Sequence, residues 1–80
     1  MKKFNFVVRV NEKVIVKTSG WYEAYCVYAE MIQQNWDVVG NPNNVMSQVI
    51  TFDGVRVIVC DSDTLNQLLC IEICPSDELL

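Results

Sequence analysis

The sequence predicts an α+β fold: a single antiparallel sheet of four or five strands (ββαββ, with a candidate fifth strand) and one amphipathic helix packed on one face. Three observations carry this. The first seventeen residues alternate apolar and polar with a period of two, as a half-buried hairpin does. From Trp21 the apolar period lengthens to that of a helix. After Asn44 strand-like runs return, split by Asp53-Gly54, a strong signal for a tight hairpin.

In the first hairpin Phe4, Phe6, Val8 and Val10 alternate with Lys3, Asn5, Val7 and Arg9. A three-residue loop at 11–13 pairs Val10 with Val14 and Val8 with Val16, keeping one apolar face. A two-residue loop at 11–12 sets Lys13 against Val10, so the longer loop is expected. Thr18-Ser19-Gly20 closes the hairpin and offers a helix cap. Trp21, Tyr25, Tyr28, Ile32 and Trp36 then recur at spacings of four, three, four and four, a stripe along one helical face. At that spacing the stripe reads as the buried side of a helix of about four turns, with a binding surface as the alternative. Trp21 and Trp36, at the helix ends, are expected to be more exposed than Tyr28 or Ile32. Glu23, Glu30, Gln33 and Gln34 fill the opposite side. Tyr25 and Tyr28, if buried, need partners for their hydroxyls.

Asn41-Pro42-Asn43-Asn44 is a loop. With Asp53-Gly54 as a type I′ turn, Phe52 faces Val55, Ile50 faces Val57 and Gln48 faces Val59 on one apolar face. The other face carries Ser47, Val49, Thr51, Arg56, Ile58 and Cys60. Past Asp61-Ser62-Asp63-Thr64, two readings compete. Thr64 and Gln67 fit the capping box of a helix over 65–73, whereas Leu69, Ile71 and Ile73 alternate with Cys70, Glu72 and Cys74 as a strand does. The β-branched content favours the strand. Pro75 stops either element, and 75–80 reads as a loose tail of a single domain spanning 1–80.

Eighty residues leave no room for a second core, and a chain this short buries only roughly 60–65% of its unfolded surface. The composition is 51% apolar and 20% charged, which opposes disorder. So much apolar surface in so small a domain points either to a second copy or a partner covering part of it, or to a well-filled core with singly exposed valines. The net charge is −4, which disfavours direct binding to nucleic acid. Asn5 and Arg9 interrupt any signal-peptide core, and no run reaches the ~18 apolar residues of a membrane span. A cytoplasmic location is expected, where the four cysteines stay reduced.

Candidate chemistry is sparse. The chain has no histidine, the commonest general base and metal ligand, and its three glycines stand too far apart for a phosphate loop. Asp61 and Asp63 before a turn read as capping residues first. Cys26, Cys60, Cys70 and Cys74 supply enough thiolates for zinc, but they sit inside apolar patterns rather than in close pairs on turns. No cofactor, metal or catalytic residue is therefore expected.

The order hairpin, helix, hairpin, together with the size, the acidity and the lack of a catalytic motif, resembles small inhibitor proteins encoded by phages and mobile elements, of the anti-CRISPR type. The resemblance implies a protein that blocks a larger nucleic-acid-handling machine by occupying its surface. It carries no motif and assigns no residue. The function expected is thus that of a non-enzymatic protein-binding module, an inhibitor or accessory protein docking on a larger protein. The alternatives are a structural homodimer and, behind it, a zinc domain held by the four cysteines. Partner contact is expected in residues 47–63, on Val49, Thr51, Arg56 and Ile58 or on the acidic rim at Asp61 and Asp63. In one variant Asp53, Asp61, Asp63, Glu72, Asp77 and Glu78 imitate phosphates.

Overall fold

The structure, a computed structural model, describes residues 5–52 and 54–76. Asn11 and Glu12 both take positive φ, 50° and 71°, and form a two-residue turn between β1 (Phe6–Val10) and β2 (Lys13–Thr18). The expected three-residue loop is thereby corrected: Lys13 pairs with Val10. The Val8–Val16 pair nevertheless survives, because the register shifts between Val8 and Arg9 and leaves Ile15 as an extra residue. A bulge thus reconciles the tight turn with the apolar face.

Gly20 caps α1 (Trp21–Gln34) without a side chain of its own. The Thr18 hydroxyl accepts the Gly20 N–H at 3.3 Å and donates to Glu23 at 3.3 Å, which ties the first turn back to β2. The helix has the expected four turns or so but stops before Trp36, the last residue of the stripe. At Asn35 the side-chain amide donates to the Met31 carbonyl at 2.8 Å, and a four-residue α2 (Trp36–Val39) follows. The break turns Trp36 outward, 61% exposed, with its indole over Gly40. The aromatic stripe is therefore split, its two ends Trp21 and Trp36 exposed as expected and Tyr25 exposed as well. Tyr28 is 1% exposed beside the buried Ala24, while Trp21 and Tyr25 stand nearly half exposed. Their rings still form a chain from Phe6 through Trp21 and Tyr25 to Tyr28, with centroids 5.5, 6.3 and 5.8 Å apart. Gln48 supplies the partner that the Tyr28 hydroxyl needs, donating at 3.2 Å.

β3 (Asn44–Ile50) and β4 (Val55–Asp61) form the second hairpin, two residues out of the expected register. Ile50 faces Val55 and Gln48 faces Val57, and the Thr51 N–H donates to the Gly54 carbonyl at 2.8 Å. Asp53 lies outside the described residues. A slip of two preserves the faces, so Val55, Val57 and Val59 still point inward and are buried. Gly54 does not have positive φ; its requirement is space. A Cβ there would lie 2.5 Å from the Ile73 backbone carbonyl. Gly54→Ala should thus push the hairpin off its neighbour and cost about 1–2 kcal/mol, read as a lower midpoint in urea at unchanged slope.

The 65–74 segment is a strand, β5 (Gln67–Pro75), with no helix before it. Pro75 pairs with Phe6 and the Ser76 N–H donates to the Asn5 carbonyl, so the expected tail does not begin at 75; residues 77–80 lie outside the described residues. The sheet is wholly antiparallel, in the order β2-β1-β5-β4-β3. The predicted α+β sheet with a helix on one face is present, but the ββαββ order is extended by α2 and β5. β5 takes the centre, separating the two hairpins. The chain must therefore carry β2 at one edge over to β3 at the other. Five strands span about 19 Å, and a helix of 14 residues reaches about 21 Å. The core lies beneath that crossing: Val8, Tyr28, Val57, Val59, Ile71 and Ile73 are all at most 2% exposed. Neither helix is long and apolar enough to cross a membrane.

Candidate functional site

With both helices on one side, the opposite face of the sheet has no helix or strand layered over it among the described residues. Strand alternation aims Val7 and Arg9 of β1, Cys70, Glu72 and Cys74 of β5, Arg56 and Ile58 of β4, and Val45 and Val49 of β3 toward that open face. The registers align Arg9, Glu72, Arg56 and Val49 in one cross-strand row. Glu72 is the unusual member. It stands on the open face yet is only 6% exposed, because the arginines from both neighbouring strands close over it. Arg9 approaches one carboxylate oxygen at 3.4 Å and Arg56 the other at 3.5 Å. The Cys74 thiol donates to Glu72 at 2.9 Å and accepts from Arg9 at 3.2 Å.

The electrostatics follow from this packing. Burial pushes the Glu72 carboxyl up, but the Cys74 donor and the two guanidinium groups together outweigh it and hold the carboxyl below the usual range. Burial raises the Cys74 thiol, and its bond to Glu72 raises it further. Burial likewise raises Cys70. Clefts flank the row. One of about 230 Å³ is lined by Val49, Thr51, Arg56, Glu72 and Cys74, among others. A wider, more open one of about 790 Å³ lies among Arg9, Arg56, Ile58, Cys70 and Glu72.

Of the residues expected from sequence, Val49, Thr51 and Arg56 share the first cleft, and Arg56 and Ile58 the second. Asp61 and Asp63 lie apart from them, Asp61 at the end of β4 and Asp63 in the turn that follows. Asp61 accepts the N–H groups of Asp63 and Thr64 at 2.8 and 3.0 Å, and those bonds, Thr64 first, hold its carboxyl below the usual range. Sequence reasoning did not single out Arg9 or Cys74 and named Glu72 only within the phosphate-imitating variant. Among the acids named for mimicry Glu72 is sequestered and Asp61 is engaged in the turn, while Asp53, Asp77 and Glu78 lie outside the described residues. The available signal was an acid at the centre of a strand flanked by cysteines, which fits no ordinary wet face.

The fold does not bring the four cysteines together. Cys26 is exposed on α1, on the helical side, whereas Cys70 and Cys74 point to the open face about 13 Å apart along one strand. Thiolates so placed cannot share a tetrahedral ion with 2.3 Å bonds. Among the described residues no three potential ligands gather.

Fold and site together define a two-layer α+β domain with one covered and one open sheet face. Comparison with protein-family models, with curated proteins and with solved structures finds no match to this chain.

Proposed function

We propose that this protein is a non-enzymatic binding domain that docks on another protein through the open face of its sheet. One observation supports this above the others. A sheet covered on one side ordinarily alternates apolar-in with polar-out. Here the uncovered side carries Val7, Val14, Val45, Val49 and Ile58 with three cysteines, around a charged row that is already internally paired. Apolar groups surrounding arginines that share one carboxylate resemble the centre of an interface more than a wet surface.

Site chemistry favours binding over catalysis. A nucleophilic cysteine needs a lowered pKa and a general acid a raised carboxyl, and Cys74 and Glu72 are shifted the opposite ways. Inhibition of a larger nucleic-acid-handling protein is the sharper form of the proposal and rests on the resemblance in layout. The open face would meet an apolar or acidic surface rather than a basic groove, because Arg9 and Arg56 outnumber Glu72 along its central row.

The test is affinity capture from the native host with wild type and Ile58→Lys. Ile58 lies between Arg56 and Cys60 on the outer side of β4, while Val57 and Val59 hold the core. The variant should keep its thermal transition within a few degrees and lose the captured partner, since an unpaired charge would enter a dry contact. Undiminished capture of the same partner by Ile58→Lys would place the contact elsewhere. Steep weakening with salt would show that charge rather than apolar contact carries the docking.

A further inference from the structure

We infer that the free edge of β3 pairs antiparallel with β3 of a second copy of this chain, joining two sheets into one of ten strands. This uses the sheet's edge rather than its open face and stands or falls separately from docking. The two edges are not alike. β2 carries Lys13 and Lys17 and a bulge at Ile15, the ordinary devices that keep an edge from pairing. β3 has neither. Its seven residues include no charge and no proline, its register with β4 is unbroken, and 45–50 are all exposed, Ile50 to 75%.

The backbone phase selects the occupant's register. Thr51 N–H donates to Gly54 and Ser62 N–H to the Asn43 carbonyl, so odd-numbered residues of this stretch direct their backbone groups toward β4. Met46, Gln48 and Ile50 therefore turn theirs outward. Two copies of β3 can bond only where outward residues oppose outward residues. Centring the two-fold on Ser47 achieves this while overlapping all seven residues. Met46 then exchanges backbone bonds with Gln48 of the other copy, Val45 packs on Val49, and Ser47 meets its own equivalent. No like charges are opposed, although each copy carries −4 overall. A guarded β2 edge and an open β3 edge also favour a closed pair over a β2-to-β3 filament.

The test is sedimentation equilibrium in reductant, which removes any disulfide through exposed Cys26. Wild type should pass from monomer to dimer mass over a roughly hundredfold range around micromolar concentration. Ser47→Lys and Ser47→Glu each set like charges face to face at the two-fold, and each should raise the dimer Kd about tenfold or more. Mixing the two in equal amounts should restore the dimer as a Lys–Glu pair. Met46→Pro removes only an outward N–H, so it should stay folded by circular dichroism and be monomeric. A wild type that stays monomeric throughout, or a dimer that both Ser47 variants leave unchanged, overturns the inference.

Discussion

Tyr28→Ala is expected to destabilise the domain by about 3–5 kcal/mol, the cost of deleting a large aromatic from a core that cannot collapse around the void. For a chain of 80 residues that corresponds to a fall in Tm on the order of 20 °C. Tyr28 is 1% exposed and is the largest fully buried side chain among the described residues. Tyr28→Phe keeps the ring and loses only the Gln48 bond, so it should cost about 1 kcal/mol. Tyr25→Ala, on a residue 46% exposed, should cost about 1 kcal/mol, mostly from lost ring contacts. Equal losses for Tyr25→Ala and Tyr28→Ala in urea unfolding would show that the stripe is buried as a unit after all. Burial also lifts the Tyr28 phenol above its ordinary value, against the Gln48 bond. Its share of stability is complete below about pH 10 and declines as pH rises through the folded value, a loss that Tyr28→Phe should not show.

Glu72→Ala should cost about 1–3 kcal/mol. Removing one partner of a fully buried ion pair costs roughly 3–5 kcal/mol, but Arg9 and Arg56 have side chains 37% and 53% exposed and can return to water. The pH dependence separates charge from packing. The folded Glu72 pKa lies below its ordinary value, so the unfolded chain binds the proton more readily. The stability is present above about pH 4.3 and disappears as pH falls through the folded value. Glu72→Gln keeps the shape without the charge, so its Tm deficit relative to wild type should be full at neutral pH and shrink in acid. A deficit that stays constant from neutral pH down through the acid limb would mean that Glu72 is held by packing alone. Because Glu72 anchors the open face, the same substitution should also loosen the Arg56 side chain that lines both clefts.

Sequence by itself determined the local elements of this protein. Period-two alternation located β1 and β2, period-3.6 repetition located α1, and the alternation of Leu69, Ile71 and Ile73, with two β-branched isoleucines, placed β5 where a helix competed for the same residues. The outer-face residues Val49, Thr51, Arg56 and Ile58 were legible too, because one residue's face in a strand dictates its neighbour's. Only the tertiary structure decided the rest. The bulge at Ile15 and the two-residue slip of the second hairpin depend on which strand lies alongside, as Gly54 against the Ile73 carbonyl makes plain. Which arc of α1 is buried depends on how the helix crosses the sheet, so Tyr28 and Tyr25 separate although their spacing treats them alike. The Glu72 cluster draws Arg9, Arg56 and Glu72 from three strands, and it exists because β5 lies between β1 and β4. That central insertion is a pairing between residues more than sixty positions apart in part, as in Arg9 with Glu72. Periodicity reports which way a side chain faces within its own element; which charges then stand opposite it is set by the order in which the strands pack.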